Sequence, residues 1–165
     1  MSELDMNKIF NIFDYIDHDI IKGGNITDDN GLLPGIWGPP TWESLHATTF
    51  GYPVYPTQID KIRYKLYFRG LGYVLPCGTC RESYIQLITT NGNTALTDNV
   101  FDNRRSLTFW LYNLHNAINE KINVKHNITY EEVVKKYETN RATCKNQKCI
   151  KTPSVTQKTY KFVSN

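Results

Sequence analysis

Apolar residues recur every three or four positions along most of this chain, and no stretch of useful length alternates apolar with polar. That period is helical. Met6, Ile9, Phe10, Phe13, Ile16 and Ile20 predict an amphipathic helix within residues 2–22, and the glycine-rich polar run 23–31 reads as a linker behind it. The compact part begins near Gly35. There Pro39 and Pro40 stiffen the approach to Thr41, an N-cap candidate, and predict a helix over about residues 40–50 that stops at Gly51-Tyr52-Pro53. A second helix opens at Thr57 and carries Ile59, Ile62, Leu66 and Leu71 on one side. A third follows Cys80 and stops at Asn91-Gly92-Asn93. The fourth and clearest spans residues 104–121. The fifth, residues 130–139, is marked by Thr129 with Glu132 three positions on, a capping box. The expected fold class is all-α: a four-helix bundle with a short fifth helix and flexible N- and C-terminal segments. Three parts are expected, an N-terminal extension over 1–33, a helical domain over 34–140 and a tail over 141–165.

At 165 residues the chain suits one domain with one genuine core. Its aromatic share of 13% is high, which fits either a core padded with rings or a flat cofactor gripped by them. No apolar run approaches the ~20 residues of a membrane helix, and the N-terminus lacks the basic-then-apolar order of a signal peptide. A cytosolic setting is therefore the default, and the sequons at Asn25 and Asn127 read as chance. The net charge of +3 is uneven. Residues 141–165 hold six basic side chains (Arg141, Lys145, Lys148, Lys151, Lys158, Lys161) and no acidic one, which leaves 3 − 6, or −3, for the remainder. Such a tail reads as a solvated segment, and no motif supports nucleic-acid binding.

The chemistry centres on Cys77-Gly78-Thr79-Cys80, which sits behind Pro76 and ahead of a helix-like run. Two thiols at a helix start can cycle between dithiol and disulfide, because the dipole's positive end stabilises the reactive thiolate. A C-x-x-C alone is compatible with half a zinc site, a thioredoxin-like centre or another oxidoreductase. Zinc knuckles pair similar short spacings, whereas the other two cysteines, Cys144 and Cys149, have four residues between them and lie far along the chain. A thioredoxin-like motif follows a strand, and residues 57–74 do not look like one.

Two polar sets stand beside apolar stripes. On the fourth helix Leu107, Trp110, Leu111, Leu114 and Ile118 form the stripe, and His115, Asn116 and Asn119 flank it. On the first, Trp42 and His46 project side by side at i and i+4. Each set could face water or sit satisfied in the core. Each could equally wall a buried polar ligand, since burial without partners is costly.

Taken together, W-G-P-P-T-W-x-x-L-H (residues 37–46), P-C-G-T-C (76–80) and W-L-Y-N-L-H-N-A-I-N (110–119) resemble the Erv/ALR family of FAD-linked sulfhydryl oxidases in motif, order and distance. Residues 34–140 carry the resemblance, and the segment from Ile128 to Tyr137 looks most like the small versions of large cytoplasmic DNA viruses. The resemblance implies FAD held by Gly38, Trp42 and His46 from the first helix and His115, Asn116 and Asn119 from the fourth. It also implies Lys121 or Lys125 near the phosphates, with Lys136 and Tyr137 contributing from the fifth helix. Cys80 would lie against the isoalloxazine and Cys77 would be the exposed thiol that meets substrate. Electrons from dithiol proteins would reach dioxygen, giving hydrogen peroxide, in a homodimer. A viral relative of this kind would work in the host cytoplasm, at the virus factory, or in the virion. Cys144 and Cys149 match the distal dithiol that many members use as a shuttle, although an inert or structural pair stays open. Cellular members also tie the fifth helix down with a disulfide, for which this chain has Tyr112 and no cysteine near Thr129. A zinc-stabilised helical module and a non-catalytic interaction protein remain the alternatives.

Overall fold

The structure, a computed structural model, describes residues 31–90, 92–125, 127–145 and 148–151. Contacts divide the chain into two units, Met1–Gly31 and Leu32–Asn165, and every described residue except Gly31 belongs to the second. The N-terminal amphipathic helix, the sequon at Asn25, and Lys158 and Lys161 lie outside the described residues.

Five helices run in order along the second unit: α1 (Pro34–Gly51), α2 (Gln58–Val74), α3 (Gly78–Thr89), α4 (Arg104–Lys121) and α5 (Tyr130–Glu138). A single 3₁₀ turn, Asp98–Phe101, precedes α4. Helix α4 starts where Asn103 accepts the Ser106 N–H, and its stripe of Leu107, Trp110, Leu111 and Leu114 is buried. Phe68 from α2 meets Trp110 edge-on at 5.1 Å, and the indole N–H donates to the Thr94 carbonyl. Tyr84 of α3 donates to the Phe68 carbonyl at 2.7 Å. These side chains form the core between α1, α2, α3 and α4.

Three details differ from the expected elements. Helix α1 begins at Pro34, not at Pro40, and Thr41 is no cap: its hydroxyl donates back to the Trp37 carbonyl at 2.7 Å. Pro34 suits the first turn. The carbonyls of Gly35 and Ile36, which Pro39 and Pro40 cannot satisfy, belong to exposed residues where water can serve them. On α2 the buried face is Ile62, Phe68 and Gly72, while Ile59 is exposed. A Cβ at Gly72 would stand 2.7 Å from Ile85 Cγ1, so glycine there lets α3 lie close on α2. The tail, expected as coil, holds a hairpin. Strands β1 (Ala142–Lys145) and β2 (Lys148–Lys151) pair antiparallel, with Cys144 opposite Cys149 and Lys145 opposite Lys148. No apolar alternation announces them, because all eight residues are exposed.

Helix α5 is held without sulfur. Thr129 and Glu132 close the expected capping box. Tyr112 donates to the Ile128 carbonyl at 3.0 Å, the Thr108 and Tyr130 hydroxyls are 2.8 Å apart, and the Phe109 and Tyr130 rings meet edge-on. Arg141, just past the helix, donates to the Phe50 carbonyl and forks onto Glu138. Among the described residues no helix is long and apolar enough to cross a membrane.

Candidate active site

Cys77 and Cys80 are joined as a disulfide at the start of α3, with Cα atoms 5.1 Å apart. Cys77 is the N-cap of the helix. Its Sγ accepts the Cys80 backbone N–H at 3.3 Å and lies 3.3 Å from the Thr79 hydroxyl. That capping position is where a thiolate gains from the first-turn N–H groups and the helix dipole. The same geometry corrects one expectation. Cys77 is buried at 7% exposure, because its sulfur folds over the helix end, and Cys80 is the half-buried one. The approach to the pair is fixed on both sides. Arg81 donates to the Leu75 carbonyl at 2.7 Å, and the Leu32 N–H donates to the Pro76 carbonyl at 2.7 Å.

A second cluster gathers rings from α1, α4 and α5. Trp42 and His115 stack at 4.0 Å with planes 9° apart, and His46 Nε2 lies 3.1 Å from His115 Nδ1. Tyr137 stacks on His46 at 5.7 Å and on Phe50 at 4.9 Å. His46 is 5% exposed, and burial lowers its pKa to about 4. The imidazole is therefore neutral at neutral pH, and one of the two facing rings donates its N–H to the other's lone pair. His46 Nδ1 is buried with no hydrogen-bond partner among the described residues. An orphaned polar atom at that depth is costly until something pairs with it.

Glu43 ties the cluster to α5. Its carboxylate accepts Lys136 Nζ at 2.6 Å and the Tyr137 hydroxyl at 3.0 Å. The Lys136 hydrogen bond holds the Glu43 carboxyl below its usual range. Burial and the adjacent carboxylate push the Tyr137 phenol well up, so it stays a donor. Glu43 was not among the expected site residues. It stands next to Trp42 in the sequence, but its partners lie 93 and 94 positions away, so only the fold reveals the role.

Beyond the rings, a cleft of about 320 Å³ is lined by Asn116, Asn119, Glu120, Val124, Lys125 and Asn127. Asn123 adopts a positive φ of 56°, and the Val124 N–H returns to the Asn119 carbonyl at 2.9 Å, folding the segment after α4 beside the cleft. Lys125 lines this cleft, and Lys121 does not. Its Nζ leaves for the Ser83 hydroxyl of α3 at 2.8 Å, since it projects from another flank of α4. Gly38 lies one turn before Trp42, half-buried, with open space around its would-be Cβ. The tail cysteines form their own disulfide, Cys144–Cys149, and all four sulfurs pair locally rather than around one centre.

The Erv1 / Alr family model matches residues 39–138. A protein of Acanthamoeba polyphaga mimivirus described as a probable FAD-linked sulfhydryl oxidase is 38% identical over 107 residues, 65% of this chain and 72% of that protein. An African swine fever virus FAD-linked sulfhydryl oxidase is 26% identical over 89 residues, 54% of this chain and 70% of the relative. The mitochondrial FAD-linked sulfhydryl oxidase erv1 of Schizosaccharomyces pombe is 28% identical over 85 residues, 52% of this chain and 44% of the relative. In fold, a double cysteine-to-serine mutant of Erv1 from Saccharomyces cerevisiae superposes with a TM-score of 0.57 at 20% identity, covering 67% of this chain and 87% of that one. The matched span holds the helix-capping disulfide, the stacked Trp42–His115 pair and the Glu43 tie, and this chain belongs to the Erv1/Alr family.

Proposed function

We propose that this protein is an FAD-dependent thiol oxidase that makes disulfides in protein substrates, with Cys77 and Cys80 as its catalytic pair and dioxygen as final acceptor. The observation that carries this reading is a disulfide capping a helix N-terminus, in a domain that also buries an unmatched imidazole nitrogen among stacked rings. The residues fit the cofactor. His46 Nδ1 lacks a partner, the Trp42–His115 stack offers flat faces, and the cleft carries amides and a lysine suited to ribose and phosphate. Trp42, His46, His115 and Tyr137 would hold the rings, Asn116, Asn119 and Lys125 the sugar and phosphate portion, with Gly38 and Lys136 at the margins. FAD, when bound, supplies two-electron acceptance and return of those electrons to oxygen as hydrogen peroxide.

The protein's own part is thiol exchange. A substrate thiolate attacks the Cys77–Cys80 bond, and a mixed disulfide forms as the other sulfur leaves. The substrate's second thiolate resolves it, releasing oxidised substrate and the reduced pair. The Cys80 N–H that Cys77 Sγ accepts, together with the positive end of the α3 dipole, stabilises a departing Cys77 thiolate and so favours the exchange. We assign Cys144 and Cys149 as a distal pair that takes electrons first and hands them to Cys77–Cys80. We propose a homodimer as well, as membership of the family implies.

The visible spectrum tests the core of the reading. The purified protein is expected to be yellow, to bleach with dithiothreitol under anaerobic conditions and to recover in air. Cys80→Ser should keep the colour and lose the bleaching. A colourless protein that takes up no FAD, or a Cys80→Ser variant that still bleaches, would overturn it.

A further inference from the structure

We infer that the C-terminal hairpin selects dithiol substrates flanked by acidic residues. The register places Lys145 directly opposite Lys148, one step from the Cys144–Cys149 pair. Like charges facing each other across a two-stranded ladder destabilise it, so the fold alone gives no reason for this pairing. Lys151, opposite Ala142, lies on the same face as the disulfide, because side chains two apart share a face. Lys145 and Lys148 point to the other face, so the sulfurs are bracketed by cations on both sides. Among the described residues none of the three lysines makes an ion pair. Glu138, the acidic residue nearest to the hairpin along the sequence, is engaged by the Arg141 guanidinium. Nothing acidic follows it to the C-terminus. Among the described residues, the hairpin therefore presents a disulfide in a positive field with no ion-pair partner for its lysines.

Such a field acts twice on thiol exchange. It raises the local concentration of anionic partners, and it favours the thiolate as attacking group and as leaving group. In the step itself, a substrate thiolate attacks one hairpin sulfur, the Cys144–Cys149 bond breaks, and the other sulfur departs as a thiolate. The second substrate thiolate then attacks the substrate sulfur of the mixed disulfide. The substrate leaves with a new S–S bond, having lost two electrons, and the hairpin holds two thiolates that pass those electrons to Cys77–Cys80. A disulfide at the centre of the charge favours a protein dithiol over nucleic acid as occupant. This inference rests on the distal-pair assignment made above.

The experiment compares two C-x-x-C peptides, one flanked by aspartates and one by lysines, as substrates of the full-length FAD-loaded enzyme, read by oxygen uptake. The acidic peptide should show a kcat/KM about 10-fold higher at low salt, shrinking toward about 2-fold as ionic strength rises past about 0.3 M. Lys145→Glu with Lys148→Glu and Lys151→Glu should reverse the preference. No preference in the unmodified enzyme, or an unreversed one in the triple variant, overturns the inference. Cys144→Ser with Cys149→Ser separates the layers. If that variant keeps the full acidic preference at full rate, the distal-pair assignment fails. If it slows both peptides and the unmodified enzyme showed no preference, the relay stands and charge selection fails. Tight binding of a single-stranded oligonucleotide that blocks both peptides equally would assign the charge to nucleic acid instead and also overturn the inference.

Discussion

Glu43 shows how a single carboxylate can govern a site without touching its chemistry. It accepts from Lys136 and Tyr137 of α5, and Tyr137 in turn lies over His46. The ion pair is mostly exposed and contributes little by itself. The Tyr137 hydrogen bond to a charged acceptor matters more, since it fixes the ring that closes the imidazole cluster. Glu43→Ala should therefore speed FAD release by about 3- to 10-fold, a loss matching one charge-assisted hydrogen bond in part screened by solvent. Flavin fluorescence recovered on dilution measures it, and Tyr137→Phe should reproduce most of the effect. Unchanged release in both variants would remove Glu43 from the site. Trp42, His46 and His115 are legible in the sequence because each breaks a pattern, a polar or aromatic group beside an apolar stripe. Glu43 is not, because an acidic residue on an exposed helix face breaks none.

Among the elements, α4 and α5 are readable to within a residue, and both carry their own start signals, Asn103 for one and the Thr129–Glu132 box for the other. The start of α1 is misread from sequence because two consecutive prolines look like a barrier. They obstruct a helix only where the carbonyls they leave unmatched are buried. The hairpin is invisible for a different reason: short exposed strands leave no periodic trace, and pairing of Cys144 with Cys149 is a property of three dimensions. The joint between α2 and α3 offers the sharpest test of packing. Gly72→Ala would drive a methyl to within 2.7 Å of Ile85 Cγ1 on the helix that Cys77 caps. The expected cost is about 1–3 kcal/mol, with a lower denaturation midpoint. Adding Ile85→Ala should recover part of it, so that the double variant is more stable than the sum of the single effects implies. Simple additivity would mean the two helices do not meet there as described.

For the whole molecule, acid is the expected weakness. Burial depresses His46 from the usual 6.5 to about 4, so the folded protein takes up that proton less readily than the unfolded chain. Its contribution is complete above about pH 6.5 and is lost as the pH falls toward 4, on the order of 3 kcal/mol in all. Glu43 and Asp98, each lowered chiefly by a lysine hydrogen bond, add their losses only below the ordinary carboxylate range. The melting temperature should fall between pH 7 and pH 5, and His46→Gln should flatten that slope. A melting temperature level across this interval in the unmodified protein would count against a neutral, buried imidazole. Acid thus attacks the wall of the ring cluster, whereas reductant does not. Helix α5 is seated by the Tyr112 and Tyr130 phenols, the Thr108 hydroxyl and the Arg141 fork. All four cysteines of the chain are paired in two bonds, Cys77–Cys80 and Cys144–Cys149, and neither bond is part of that seat. Reduction of both bonds would leave these braces of α5 in place.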